Sequence, residues 1–412
     1  MKKRTLALFS VLLALTMLGG CGGSAPVSPA TSPASAAAPP ASSGSSAAAP
    51  AAEPEFDGET VIALVAPVSG NNKMVGQYQQ QGFNLAMEEI NSAGGVLGKK
   101  IVPFLVDEID TMQASVNAYA KIFANPDVSA IVGSSYSVNC IAILPQLEDA
   151  KIPHVSLGSA VALRDKNCPW NWMLRPIDPF QYEVLAQTAV QDLKVVKPAI
   201  LYSDDAPRLT GLQYLIGALQ KYGVDVPKDM QFATPNDEKN YGPILTQIQN
   251  SGADCLICLS DQMPAVLIAQ QVSIAGFDIP LIGSTSYCSS VFRQNAGDVA
   301  NGWYASSDWS VEANTPSGAA FEKKFREAYG MPSDLAAVSA YDGVYAIKHA
   351  MEIAGTTADR AAINEAFKQF KDFVGAMSTY TYFEGDSCLN TSLFATHNEN
   401  GLPVVIKNIK VR

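Results

Sequence analysis

The sequence predicts an α/β protein made of two doubly wound lobes in succession. Three observations carry this. From Glu59 onward, short β-rich runs alternate with segments of helical period, the pattern of a parallel sheet with crossover helices. The alternation starts afresh near Phe180, which makes a second lobe of the same architecture and therefore a clamp. The folded part after Glu53, about 360 residues of ordinary globular apolar content, suffices for two domains of usual size.

The elements follow in order. Val61-Ile62-Ala63-Leu64-Val65 is an unbroken apolar run and reads as a first buried strand. Phe83, Ala86, Met87 and Ile90 then share one helical face, and Gly94-Gly95 supplies the C-terminal cap. A strand over 101–106, a helix over 116–123, a strand over 130–132, a helix over 141–150 and a strand over 154–157 complete the first series. The second begins with a helix over 180–193, a strand over 199–202 and a helix over 209–222 whose Leu212, Leu215, Ile216 and Leu219 lie on one face. It continues through a helix over 244–250, a strand over 256–259, a helix over 265–275 and a strand over 281–283. The tail over 321–370 is helical again, and 378–383 with 404–409 read as late strands.

Before the folded part, Lys2-Lys3-Arg4, an apolar stretch over 6–18 and Gly19-Gly20 precede Cys21 in the order of a secretory signal. The apolar run is too short for a membrane span. Leu18-Gly19-Gly20-Cys21 resembles a bacterial lipobox, in which the cysteine thiol is acylated and residues 1–20 are removed. Residues 21–57 then form a lipidated tether. From Ser24 to Ala52 every residue except Val27, Thr31 and Gly44 is Ala, Ser or Pro, which leaves no large apolar side chain to offset the entropy of ordering. Without Lys2, Lys3 and Arg4 the chain holds 25 basic against 39 acidic residues, a balance that argues against nucleic acid as a partner.

Enzyme motifs are missing. No Gly-x-Ser-x-Gly elbow, phosphate-binding Gly-x-x-x-x-Gly-Lys-Ser/Thr loop or His-Glu-x-x-His helix occurs, and His154, His349 and His397 are far apart in sequence. Cys255-Leu256-Ile257-Cys258 has Cys-x-x-Cys spacing but falls within a predicted strand, where the two sulfurs point to opposite faces; buried structural thiols follow, with neither a shared metal nor a redox pair. Neither a cofactor nor a catalytic residue is expected. The six cysteines after Cys21 are scattered, and their pairing is left open.

Several stretches, in their order and spacing, resemble the bacterial branched-chain amino-acid-binding family, the type 1 periplasmic binding proteins that serve ABC importers. These are Ala66-Pro67-Val68-Ser69-Gly70; the run 82–98 ending in Glu89-Ile90-Asn91-Ser92-Ala93-Gly94-Gly95-Val96-Leu97-Gly98; Ile131-Val132-Gly133 with Ser137; Ile152-Pro153-His154-Val155-Ser156; Arg175-Pro176 with Asp178; and Ala340-Tyr341-Asp342-Gly343. The resemblance implies two Rossmann-like lobes joined by three hinge crossings, near 175–178, 304–309 and 374–378. Lobe one then comprises 58–177 and 305–374, and lobe two 178–304 and 375–412. It implies an extracytoplasmic, monomeric solute-binding lipoprotein that captures a small amino acid, carboxylate or amide and hands it to permease and ATPase subunits. The alternative is a sensor of the same fold signalling through a membrane partner; such receptors continue into a membrane span, whereas this sequence reaches Arg412 with no apolar twenty-mer.

Ligands of open α/β sheets sit beyond the carboxyl ends of the strands. The loop Gly133-Ser134-Ser135-Tyr136-Ser137 occupies such a place, and its hydroxyls suit either a carboxylate or the N-cap of the next helix. The resemblance puts Ser137 on the family's carboxylate-binding serine, with Ser135 and Tyr136 beside it, and Ser159-Ala160 on the segment that supplies a backbone amide and a hydroxyl, the hydroxyl-bearing position being Ala160 here. On the opposite wall the acid that holds an α-amino group corresponds to Thr285, next to Tyr287. A tyrosine-glycine pair is replaced by Asp204-Asp205-Ala206-Pro207-Arg208, and expected aromatics are replaced near Gln262 and at Met74 or Val75. Asp204, Asp205 and Asp261 are the acids left to meet an ammonium group, which needs such partners once desolvated. Arg208 suits a carboxylate or phosphate. Tyr136 and Tyr287 are expected to line the cleft, and Trp303 and Trp309 line either the cleft or a lobe core. The expected solute is therefore something other than a typical branched-chain amino acid.

Overall fold

A computed structural model describes residues 54–70, 72–109, 111–311 and 315–411. The expected signal segment, Cys21 and the expected tether up to residue 53 lie outside them. Within the last residues expected to belong to the tether, the Asp57 N–H already donates to the Gly98 carbonyl at 2.8 Å.

Strands β1 (Glu59–Ala66), β2 (Lys100–Asp107), β3 (Val128–Val132), β4 (His154–Ser156) and β5 (Asn171–Met173) form a wholly parallel sheet in the order β2-β1-β3-β4-β5. Both faces are covered, as a parallel sheet requires. Ile62, Leu64 and Ala66 of β1 enter one core, and the alternate Ala63 and Val65 enter another. Helices Lys73–Ser92 and Leu335–Ala354 pack on the first face, and Met112–Phe123 and Ser137–Ala150 on the second. The first pair meets backbone to backbone: a Cβ at Gly82 would stand 1.9 Å from the Ala337 carbonyl oxygen.

The chain then builds β6 (Pro198–Ser203), β7 (Gln231–Thr234), β8 (Cys255–Leu259), β9 (Leu281–Gly283) and β10 (Trp303–Ser307). A small hairpin, β11 (Phe373–Val374) with β12 (Thr379–Tyr380), precedes β13 (Ser392–Glu399) and β14 (Leu402–Lys410). The second sheet has the order β14-β13-β10-β9-β8-β6-β7. Its strands β6 to β10 are parallel, whereas β13 and β14 extend it antiparallel. The expectation of two α/β lobes holds. The sequence reading missed β5, β7, β10 and β13, and Tyr304, expected within a crossing, pairs instead with His397 in the β10–β13 ladder.

Three passages connect the sheets. The first follows β5, the second follows β10 and returns through helices Pro316–Tyr329, Leu335–Ala354 and Arg360–Ala366 to the first core, and the third leads into β13. Ala376, Met377, Tyr380 and Leu389 still pack in the first core, so the chain joins the second sheet at Ser392.

Two buried acids fasten these passages. Arg175, just after β5, pairs with Asp308, just after β10, at 2.5 Å, and also donates to the Leu157 carbonyl at 3.2 Å. Asp342, inside Leu335–Ala354, accepts from the Ala376 N–H at 2.7 Å, the Met377 N–H at 2.9 Å and the Tyr380 hydroxyl at 2.6 Å. A Cβ at Gly375 would lie 2.4 Å from an Asp342 carboxylate oxygen, so glycine there lets the hairpin reach the acid.

Cys140, Cys168, Cys255, Cys258, Cys288 and Cys388 are all buried thiols. Burial pushes the Cys255 thiol well above its ordinary range and that of Cys258 up to about 12, which makes both poor nucleophiles and agrees with a structural role. No helix among the described residues is long and apolar enough to cross a membrane.

Candidate ligand cleft

The buried strand β3 ends at Val132, and its loop delivers Ser137 as the first residue of the helix Ser137–Ala150. Next to it, β4 ends at Ser156, and residues 157–160 lead into the short helix Val161–Asp165. The two loops meet at one atom. Ser137 Oγ accepts from the Ser159 N–H at 3.2 Å and from the Ala160 N–H at 3.1 Å. Gly158 makes this approach possible, since a Cβ there would stand 2.6 Å from Ser137 Oγ. Both amide protons are thereby taken up by Ser137 Oγ, and the donor left for a ligand is the Ser137 hydroxyl, at a half-buried point beyond the carboxyl ends of adjacent strands. A hydroxyl whose oxygen accepts from two amides is a polarised donor and suits a carboxylate oxygen, since bonds to an ionised group are the stronger kind. Ser135 and Tyr136 are half-buried in the same loop.

Asp178 joins this wall. It opens the helix Asp178–Gln187, and its N–H donates to the Ser159 carbonyl at 2.9 Å. Burial pushes its carboxyl up to about 6, the neighbouring Asp308 acting in the same direction and Ser159, Arg175 and Arg208 against it. Sequence reasoning passed over Asp178 as a site residue because Asp178-Pro179 looks like an ordinary helix start.

The second lobe presents less than expected. Asp205 is consumed as the N-cap of Ala206–Lys221, accepting from the Arg208 N–H at 2.9 Å. The Arg208 guanidinium bonds to Asp261 and lies 3.8 Å from Asp205. Both acids thus face a cation of the protein's own. Asp204 is exposed, its N–H bonded to the Thr234 carbonyl at 2.7 Å. Thr285 is half-buried at the start of the 3₁₀ turn Thr285–Cys288.

Tyr287 corrects the sequence reading. It is fully buried, its hydroxyl 3.1 Å from Ser260 Oγ and its ring stacked on Trp303 at 4.5 Å. The 3₁₀ turn after β9 folds the side chain back over Gly283, where any Cβ would collide with the ring. Trp303 and Trp309 are buried as well, in the second and first cores respectively, and Trp309 Nε1 donates to Ser333 Oγ at 3.0 Å. Of the four aromatics expected to line the cleft, Tyr287 is core against expectation, and both tryptophans take the core alternative.

A cavity of about 420 Å³ lies elsewhere, at the third passage, lined by Thr315, Met377, Thr379, Ser392, Phe394 and Asn408. None of the candidate ligand residues borders it. Among the described residues no cluster of His, Cys, Asp and Glu is placed to hold a metal ion.

With this geometry, the similarities to known proteins are consistent. The family model described as periplasmic binding protein matches residues 59–401. The Leu/Ile/Val-binding protein homolog 3 of Brucella melitensis is 24% identical over 329 residues, covering 79% of this chain and 88% of that protein. Among solved structures, the branched-chain amino acid transporter substrate-binding protein LivJ of Streptococcus pneumoniae, solved with isoleucine, superposes with a TM-score of 0.74 at 21% identity, covering 86% of this chain and 99% of that one. A solute-binding protein of an ABC transporter from Rhodopseudomonas palustris, solved with p-hydroxybenzoic acid, gives 0.76 at 19% identity, covering 86% and 98%. These two likenesses establish the two-lobed type 1 fold.

Proposed function

This chain belongs to the periplasmic binding protein family, and from that premise we propose that it captures a small carboxylate without an α-ammonium group and passes it to an ABC importer. At the coarser level it is a non-enzymatic substrate-binding protein of the branched-chain amino-acid transporter type, acting outside the cytoplasm. The proposal adds acyl chains on Cys21 as the anchor. Two or more chains make such an anchor stable, whereas one gives only marginal binding. It also adds a monomeric state and delivery to permease and ATPase subunits.

The observation that carries the ligand class is the convergence of Ser137 Oγ with the Ser159 and Ala160 amides, set against the opposite wall. There Thr285 stands where the resemblance expects an acid, and Asp205 and Asp261 already face Arg208. Asp204, the third of these acids, is exposed to water, and a desolvated ammonium group met only by a hydrated acid is costly, so a zwitterion is disfavoured relative to a plain carboxylate. The p-hydroxybenzoic acid found in the Rhodopseudomonas palustris structure makes aromatic carboxylates the first compounds to try. Ser135, Tyr136, Ser159 and Ala160 would line the carboxylate, and Asp204 and Thr285 the far side. Closure of the lobes around the bound solute then gives the importer a state to recognise, because only differential affinity for the closed form shifts that equilibrium.

A thermal-shift panel tests this. Benzoate and 4-hydroxybenzoate are expected to raise Tm, and benzamide, which lacks the charge, is not; at a concentration of 100 Kd the stabilisation is about 2.7 kcal/mol. A larger shift with L-leucine than with either benzoate would refute the carboxylate-only reading.

A further inference from the structure

Beneath the loop that carries Ser137 lies a buried carboxylate that ligand capture does not itself use. Glu108 follows β2 and is fully buried, together with Ser115 and Ser134, while Asn139 is nearly so. All three are donors to it. Its Oε2 accepts from Ser115 Oγ at 2.8 Å and Asn139 Nδ2 at 2.9 Å, and its Oε1 accepts from Ser134 Oγ at 2.7 Å. Burying a carboxylate costs several kcal/mol before such bonds compensate it, and packing alone would be served as well by an apolar side chain.

The donors show what the carboxylate does. Ser134 and Asn139 flank Ser137 in the sequence, so the acid grips the loop on both sides of the residue that meets the ligand. Ser134 has one hydroxyl proton and gives it to Glu108. Its lone pairs are thereby turned to the Tyr136 N–H, which donates to Ser134 Oγ at 3.0 Å. The Ser134 carbonyl accepts from the Leu157 N–H at 3.0 Å, which ties the neighbouring loop of Ser159 and Ala160 to the same point. Ser115 differs: it holds the carboxylate from the helix Met112–Phe123, outside both loops in sequence.

Resting on the ligand-site reading above, we propose that Glu108 is a positioning residue for solute binding, acting through Ser134 and Asn139 to fix Ser137 against the Ser159 and Ala160 amides. Glu108→Gln places an amide donor against hydroxyl and amide donors, which breaks the relay while keeping the volume.

The test compares Glu108→Gln, Ser134→Ala, Ser115→Ala and Ser137→Ala in the full chain, reading amide hydrogen exchange at Tyr136 and the Kd for benzoate. Glu108→Gln and Ser134→Ala are expected to speed Tyr136 exchange and weaken benzoate binding, each about tenfold, and the double variant to be no worse than the poorer single. Ser115→Ala lowers Tm but keeps both readouts within twofold of the wild type. The proposal is overturned if Glu108→Gln leaves Tyr136 exchange unchanged, or if Ser115→Ala moves the readouts as far as Glu108→Gln does. If Glu108→Gln does not fold, Ser134→Ala against Ser115→Ala decides by the same criteria. An unchanged Kd in Ser137→Ala sinks the ligand-site reading and with it the link to solute binding, whereas Tyr136 exchange, which needs no ligand, still judges whether Glu108 holds the loop.

Discussion

Asp308→Ala is expected to destabilise the protein by about 3 to 5 kcal/mol, one of the two largest losses foreseen for a single substitution. The Asp308 side chain is wholly inaccessible, and that of Arg175 is only 13% exposed. Removing the acid leaves the guanidinium buried with the Leu157 carbonyl as its remaining acceptor among the bonds described. The loss should show as a lower urea midpoint at an unchanged m-value. The double substitution Arg175→Met with Asp308→Leu should recover most of it, since apolar residues of similar volume often replace a buried pair at little cost. A drop below 1 kcal/mol for Asp308→Ala would mean that the pair between the first two passages contributes little to joining the lobes.

Asp342→Ala should be comparably damaging. Three donors, the Ala376 and Met377 amides and the Tyr380 hydroxyl, lose their acceptor inside the first core. At about 1 to 3 kcal/mol for each unsatisfied group, a loss on the order of 4 kcal/mol follows even after partial relaxation. The pH dependence distinguishes this from simple loss of volume. Burial pushes the Asp342 carboxyl up to about 6, against an unfolded value near 4. An acid whose folded pKa is raised binds more protons when folded, so its contribution to stability is greatest below pH 4 and is lost as pH rises through 6. Wild type should therefore gain on Asp342→Ala as pH falls from 7 to 4, by about 2 kcal/mol. A gap that stays constant or narrows over that range would contradict the assignment.

The fold was readable where one physical signal dominated. The run 61–65 and the strand Cys255–Leu259 are unbroken apolar stretches buried on both faces, and the cores confirm it. Short or mixed strands escaped. Asn171–Met173 has three residues and begins with a polar one, Gln231–Thr234 lies at a sheet edge with its residues partly exposed, and Trp303–Ser307 ends in serines that read as loop. Ser392–Glu399 carries Thr396, Asn398 and Glu399 beside Phe394 and pairs antiparallel, so neither composition nor the parallel pattern announced it.

The candidate cleft was readable on one wall only. Ser137 follows a buried strand and opens a helix, a local arrangement that sequence order encodes. Whether Asp205 and Asp261 stand ready for a ligand depends on where Arg208 reaches, and whether Tyr287 lines a cleft depends on the direction of a 3₁₀ turn. Those are tertiary facts that adjacency in sequence does not carry. Glu108 stayed hidden for the same reason, since its partners Ser134 and Asn139 lie 26 and 31 residues away.

Calorimetric titration of benzoate into the wild type and Ser137→Ala tests the central claim most directly. The account predicts measurable binding to the wild type and at least about tenfold weaker binding to the variant, the worth of one hydrogen bond to a charged oxygen. Equal affinities in the two proteins, or no benzoate binding to the wild type alongside tight binding of L-leucine, would contradict it.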